Sequence, residues 1–313
     1  MVQVTRTPAP CLPTGAAPPG HPTLRWVEEC LGKGAEVRMV RPLAGGGAHA
    51  NHALLVESRS GSAHHLVLRR WTCREPDPAR RPHGTEFSPE REIAALALLA
   101  GCEIPTPALV AADPAGAYCD VPALLITLLG GHPPRPSSDD LAEYLIQLAA
   151  ALLPVHALNG ASTMPPYVPH NRLDDRPAPR HALHPGLWER AYEVASRPAP
   201  EAPVRFIHRD YHADNTLWSF GKLTGVVDWS DTSSGPIAID IARMRRGLAL
   251  RYGPPAADRF LATFDQVSGG YPHDPYWDVR DLLDLLPEDE DRVMDEAHVP
   301  LYEDYLSRLL ADC

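Results

Sequence analysis

Four residues in the stretch FIHRDYHADNTLWSFGKLTGVVDW (206–229) have side chains that could act on a phosphorylated ligand: His208, Asp210, Asn215 and Asp228. Asp210 and Asn215 lie on a short polar loop between two apolar, strand-like runs, and Asp228 ends the second strand of the hairpin that follows. Phosphoryl transfer needs a carboxylate that orients the attacking hydroxyl or accepts its proton, and oxygen ligands for Mg²⁺ on the nucleotide phosphates. The spacing therefore predicts that one supersecondary unit brings three oxygen-bearing side chains together.

This stretch resembles the catalytic loop of aminoglycoside phosphotransferases, choline kinases and their relatives, whose fold is similar to that of protein kinases. The pattern H-x-D-x-x-x-x-N matches at His208, Asp210 and Asn215, and the segment 227–229 resembles the family's counterpart of D-F-G. The resemblance implies that Asp210 is the catalytic base or orients the acceptor, and that His208 holds the loop. It further implies that Asn215 and Asp228 bind magnesium, with two ions serving an in-line transfer.

A glycine-rich segment, LAGGGAHAN (43–51), lies upstream between two strand-like runs. Gly45, Gly46 and Gly47 have no side chains to prevent backbone N–H groups from approaching phosphates, and Asn51 closes the segment. The resemblance implies a nucleotide-binding loop that contains these residues. Taken alone, the segment is also consistent with an ordinary hairpin turn.

The third strand-like run contains Leu-Val-Leu-Arg69, at the place where the family carries a phosphate-binding lysine. Arginine keeps the positive charge, but its planar fork differs from an ammonium group. The resemblance implies an ion-pair partner on the next helix, for which Glu92 is favoured and Glu90 is the alternative. Both glutamates could instead be surface charges near the helix N-terminus. The run LLITLLGG (124–131) resembles the strand and hinge that contact the nucleotide base through backbone groups, so ATP and GTP both stay open.

The elements around these residues predict an α+β fold. Strand-like runs and one punctuated helix dominate the first part of the chain, and helical periodicity dominates the second. With the resemblance, this implies a bilobal protein-kinase-like fold with an N-terminal, mostly antiparallel sheet and a mainly helical C-terminal lobe. The predicted division is a flexible tail at 1–22, a nucleotide-binding lobe with hinge at 23–130, and a catalytic and substrate-binding lobe at 131–313.

Carboxylates are frequent in the last third of the chain, and Asp231, Asp278 and Asp281 are the candidates for binding the acceptor. A polyamine sugar would need such groups for charge-assisted hydrogen bonds, but a solvated acidic face is the alternative reading. Members of the family phosphorylate aminoglycosides, macrolides, peptide antibiotics, homoserine or choline. The resemblance therefore implies a nucleoside triphosphate and a hydroxylated, possibly cationic, small molecule as partners.

Composition excludes several other classes of protein. The net charge of −11 and the pI of about 5.7 argue against a nucleic-acid-binding protein. No apolar run approaches the length of a membrane helix, so we expect no membrane partner. The six cysteines are scattered without disulfide or zinc spacing, which indicates a reducing, cytoplasmic location.

Two alternative functions also follow from the residues. Arg69 in place of lysine is the motive for a pseudokinase that binds a nucleotide or a partner without catalysis. His208, Asp210, His212 and Asp214 alternate as polar residues at a strand end and could bind a metal in a hydrolase.

Overall fold

The computed structural model describes residues 17–43, 49–72, 88–286 and 296–313, which divide into two compact units. The first unit holds α1, β1 to β5 and the start of α2, and the second holds the rest of α2 and every element from α3 onward. The elements in chain order are α1 (His21–Cys30), β1 (Glu36–Pro42), β2 (Ala50–Glu57), β3 (Ala63–Arg70), α2 (Pro89–Leu99), β4 (Leu109–Asp113), β5 (Ala123–Thr127), α3 (Leu141–His156), α4 (Pro185–Ala195), β6 (Val204–Ile207), β7 (Thr216–Ser219), β8 (Lys222–Val226), β9 (Ser233–Pro236), α5 (Ala238–Tyr252), α6 (Pro254–Ser268), α7 (Tyr276–Leu283) and α8 (Val299–Leu309).

The first unit is built on an antiparallel sheet with strand order β1-β2-β3-β5-β4. Leu54 on β2 is paired with Leu66 on β3, and both side chains are buried in a core that Trp26 and Val27 of α1 complete. Burial of apolar side chains on one sheet face is the main favourable contribution to such a unit. The same register places Asn51 directly opposite Arg69.

Arg70 ties the start of the described chain to this sheet. Its side chain is buried, its Nη1 donates to Asp120 Oδ2 at 2.9 Å, and its Nη2 donates to the Ala17 carbonyl at 2.6 Å. The Thr23 hydroxyl also donates to Asp120. Residues 17–22, which the sequence assigned to a tail, therefore contact this unit, because a buried guanidinium needs partners that sequence patterning does not show.

The second unit contains α3 to α8 and two small antiparallel ribbons, β6 with β9 and β7 with β8. The predicted apolar face of α3 is buried at Leu145, Leu148 and Leu152. An antiparallel sheet followed by a mostly helical part confirms the predicted α+β class. Within the described part of the chain, every helix falls short of the length and apolarity that a membrane crossing requires.

The hairpin of β7 and β8 returns the chain to the loop that follows β6. Ser219 pairs with Lys222, so the connection has only Phe220 and Gly221, whose φ angles are 48° and 72°. Two consecutive positive φ values define the type I′ turn, whose twist matches that of the flanking strands. This tight turn places Asp228 just after the returning strand β8.

Candidate active site

One buried carboxylate holds the loop that follows β6. Asp240, on α5, is fully buried; its Oδ2 accepts from the His208 N–H at 3.0 Å and its Oδ1 from the Arg209 N–H at 2.7 Å. The His156 Nε2 lies 2.9 Å from the same Oδ2. Arg209 has a φ of 69°, a left-handed conformation that costs a non-glycine residue about 1–2 kcal/mol. Asp240 therefore stabilises the unusual backbone that precedes Asp210.

His208 joins this loop to the hairpin of β7 and β8. Its ring is buried, its Nε2 lies 3.0 Å from the Val227 carbonyl oxygen, and its Nδ1 accepts from the Asp210 N–H at 3.3 Å. Val227 in turn donates its N–H to the Asn215 carbonyl at 2.9 Å. An imidazole that accepts at Nδ1 and faces a carbonyl at Nε2 carries its proton on Nε2. These contacts fit a loop-holding role for His208.

The Asp210 carboxylate is held from two sides. Arg243 of α5 donates to Oδ1 from both Nε and Nη2, each at 2.8 Å. Asn215 Nδ2 donates to Oδ2 at 3.1 Å and to the Asp210 carbonyl at 3.0 Å, and His212 Nε2 lies 3.5 Å from Oδ2. Burial alone would raise the pKa of Asp210, but the Arg243 charge and the nearby His212 outweigh it and hold that pKa well below its usual range. Asp210 is therefore a fixed, ionised carboxylate at neutral pH.

Asn215 and Asp228 present the oxygen atoms that a magnesium ion prefers. Both side-chain hydrogen bonds of Asn215 use Nδ2, so its Oδ1 is the amide atom that can bind a cation. Asp228 has φ 67° and ψ 64°, a left-handed conformation that aspartate adopts more readily than most residues, and its Oδ1 accepts from the Ser230 hydroxyl at 3.0 Å. Amide and carboxylate oxygens are hard ligands. The donor set therefore fits Mg²⁺.

Two of the four residues of the hydrolase hypothesis have partners outside that set. His208 Nε2 faces the Val227 carbonyl, and the exposed Asp214 pairs with Arg251 at 3.1 Å. Across residues 17–43, 49–72, 88–286 and 296–313, no group of three or more His, Cys, Asp and Glu side chains is arranged to hold a metal ion. The convergence on which that hypothesis depends is not present in the described chain.

In the first unit, Arg69 is buried between an amide and a carboxylate. Its Nε donates to Asn51 Oδ1 at 3.1 Å, and its Nη1 donates to Glu92 Oε1 and Oε2 at 2.9 and 3.0 Å. Of the two candidate glutamates, Glu92 makes this contact and Glu90 is exposed. Asn51, predicted as part of the glycine-rich loop, thus contacts Arg69. The other predicted loop residues, Gly45, Gly46 and Gly47, lie outside the described residues.

The three candidate acceptor-binding aspartates are buried, so they do not form the solvated acidic face that was the alternative. Each is buried and paired with an arginine of the second unit. The pairs are Asp231 with Arg209 at 3.1 Å, Asp278 with Arg245, and Asp281 with Arg246 at 3.2 Å. Charges that leave water need partners, and each of these three aspartates has an arginine beside it. We therefore do not assign the acceptor to them.

Sequence reasoning missed Arg243, although it stands three residues after Asp240 on the arginine-rich helix α5. Replacing Arg243 by methionine removes both charge-assisted hydrogen bonds to Asp210 while keeping a side chain of similar length. Because small misplacements of a reacting group lower rates strongly, we expect kcat to fall by about 10²-fold. Steady-state kinetics of the folded variant measures this.

Arg251→Met is the matched control, because Arg251 lies on the same helix and pairs with Asp214 of the same loop in an exposed position. Exposed pairs contribute little, so its kcat should stay within about threefold of wild type. Equal losses in the two variants would contradict a specific role for Arg243.

Comparison with known proteins gives both a family and a fold. The family model described as "Phosphotransferase enzyme family" matches residues 40–283. The search of curated proteins found no significant match.

Several solved structures resemble the chain. A mutant of aminoglycoside phosphotransferase APH(4)-Ia with ADP and hygromycin B is 14% identical, with a TM-score of 0.61 over 92% of this chain and 98% of that chain. The GDP and kanamycin complex of APH(2″)-IIIa is 18% identical, with a TM-score of 0.61 over 88% and 94%. Macrolide 2′-phosphotransferase MphH from Brachybacterium faecium is 17% identical, with a TM-score of 0.52 over 90% and 88%. At these identities the likeness shows the fold, and it confirms the predicted protein-kinase-like α+β class.

Proposed function

The chain belongs to the phosphotransferase enzyme family whose model spans residues 40–283, and from this premise we propose that it phosphorylates a hydroxyl group of a small molecule with ATP or GTP. The observation that carries the proposal is the fixation of Asp210. Arg243 holds one of its carboxylate oxygens, and Asn215, a candidate magnesium ligand, holds the other.

In this proposal Asp210 accepts a hydrogen bond from the acceptor hydroxyl and orients its oxygen toward the γ-phosphorus. The new oxygen–phosphorus bond forms as the bond to the bridging oxygen breaks, the nucleoside diphosphate leaves, and Asp210 takes the hydroxyl proton. Asn215 Oδ1 and the Asp228 carboxylate would hold magnesium, which neutralises phosphate charge when bound. Because Asp210 is already fixed and ionised, little rearrangement precedes the reaction.

The identity of the nucleotide and the acceptor needs a broad test. One similar structure holds ADP with hygromycin B, another holds GDP with kanamycin, and a third is a macrolide phosphotransferase. The buried aspartates of this chain are paired internally, so a cationic acceptor would have to bind through other groups. We therefore propose a hydroxylated small molecule without restricting its charge.

The test is acceptor-dependent release of ADP or GDP in the presence of Mg²⁺. The panel should span aminoglycosides, macrolides, amino alcohols and neutral polyols, with Asp210→Asn as the catalytic control. Turnover with one acceptor that disappears in the variant supports the proposal. Nucleotide binding without turnover on any acceptor would favour the pseudokinase alternative. The absence of both nucleotide binding and turnover would refute the proposal.

Replacing Asp228 by alanine should raise the Mg²⁺ concentration for half-maximal activity by at least about 10-fold to 100-fold. Mutating a residue that only orients a metal ligand typically lowers metal affinity by about 10-fold to 100-fold. Asp228 is proposed as a direct ligand, so its loss should have at least this effect. Mg²⁺ titrations of activity and of nucleotide binding by calorimetry measure the effect. Ser230→Ala removes only the hydroxyl that donates to Asp228 and should change the requirement less. An unchanged Mg²⁺ requirement in Asp228→Ala would exclude it as a ligand.

A further inference from the structure

Asn51 and Arg69 form a directly opposed pair on β2 and β3. Relative exposures are 8% for Asn51, 6% for Arg69 and 1% for Glu92, so the three side chains meet away from water. Opposed residues on neighbouring antiparallel strands have Cβ atoms close enough for their side chains to interact. The sheet register therefore builds this contact.

The two partners hold different nitrogens of the guanidinium. Asn51 Oδ1 accepts from Nε at 3.1 Å, and the Glu92 carboxylate accepts twice from Nη1. Contacts at two points of one rigid plane fix both the position and the rotation of that plane. Glu92 alone would neutralise the charge of Arg69. The neutral Asn51 amide at Nε fixes the orientation of the guanidinium plane without adding a charge.

We propose that Asn51 is a positioning residue for phosphate recognition: together with Glu92 it fixes the guanidinium plane of Arg69 and makes this site specific for arginine. The inference rests on the proposed function and extends it: Arg69, at the place where the family carries a phosphate-binding lysine, contacts the phosphates of the nucleotide. The N–H donors of a guanidinium lie in its plane, so its contact with a phosphate depends on the orientation of that plane.

Lysine would not replace arginine in this setting. Its ammonium is a single nitrogen at the end of a flexible stem, so one atom would have to serve both Asn51 and Glu92. The Asn51 amide, buried opposite the strand position of Arg69, would then lose a partner or draw the ammonium away from the phosphates. Asn51 thus explains why residue 69 is arginine where the family carries lysine.

The experiment measures dissociation constants of the full-length chain for MgADP and MgGDP, and for adenosine and guanosine, by calorimetry or competition. For whichever base binds, Asn51→Leu should raise the diphosphate Kd about 10-fold, equal to about 1.4 kcal/mol, and change the nucleoside Kd by less than about threefold. Asn51→Asp keeps a side-chain oxygen as acceptor and should restore the diphosphate Kd to within about threefold of wild type.

A double-mutant cycle tests whether Asn51 acts through Arg69. Arg69→Lys should raise the diphosphate Kd at least about 10-fold, and adding Asn51→Leu to it should change the Kd by less than about threefold, because the contact is already lost. Glu57→Ala, on the same strand β2 in an exposed pair with Arg38, is the matched control and should bind like wild type. Circular dichroism confirms folding, and Asn51→Ala replaces the leucine variant if that one does not fold.

Three results would overturn the inference: equal losses for nucleoside and diphosphate in Asn51→Leu, additive effects in the cycle, or wild-type affinity in Arg69→Lys. Each of these leaves the proposed function intact, because the wild-type chain still binds nucleotide. Failure of the wild-type chain to bind any nucleotide would instead remove the proposed function, and the inference with it.

Discussion

Asp210→Asn is expected to lower kcat by about 10²-fold to 10⁴-fold while leaving the Kd for the Mg–nucleoside diphosphate within about threefold. The amide keeps the shape of the side chain but loses the charge, and it cannot take the proton of the acceptor hydroxyl. Arg243, which now donates twice to Oδ1, would face a neutral group. Steady-state kinetics with the identified acceptor, together with calorimetric nucleotide binding, separates the loss of chemistry from a loss of binding.

Asp214→Asn is the matched control for this variant. Asp214 lies on the same loop, is exposed, and pairs with Arg251 rather than with Arg243. Its replacement should leave kcat within about threefold, as expected for an exposed ion pair. A kcat for Asp210→Asn within tenfold of wild type would show that Asp210 is not the catalytic carboxylate.

The second large effect is expected at Asp240, where alanine should lower the free energy of unfolding by about 3–5 kcal/mol. The substitution leaves the N–H groups of His208 and Arg209 without their acceptor, and it removes the carboxylate beside His156. It also releases the left-handed backbone at Arg209, so the residual activity should fall along with stability. Urea denaturation followed by circular dichroism measures the change in stability.

Asp258→Ala provides a control for this measurement. Asp258 also accepts from an arginine of α5, Arg245, at 3.2 Å, but its side chain is 67% exposed. Exposed ion pairs contribute about 0–1 kcal/mol, so this variant should unfold nearly as wild type does. If the two alanine variants were equally stable, Asp240 would not be the support of the catalytic loop.

Features that depend on residues close together along the chain could be predicted from the amino-acid sequence. The α+β class follows from the order of strand-like and helical patterns, and the structure confirms it. The candidate catalytic loop and the Asp228 segment could be predicted because they flank two adjacent strands joined by a short hairpin. For such a unit, residue spacing along the chain already implies proximity in space. The roles of its residues remain predictions that the experiments above address.

The pairing of these residues with side chains far away in the chain is visible only in the folded structure. The second support of Asp210 is Arg243, and the partner of Arg69 at Nε is Asn51, although nothing in their spacing points to either contact. Asp278 and Asp281 belong to a run that suggested an acidic face, yet helix packing buries them against arginines of α5. The physical reason is that burial and strand register select charge partners from elements far apart in the chain. The sequence shows how many charged residues there are. Whether they face water, a ligand or each other depends on how the elements pack.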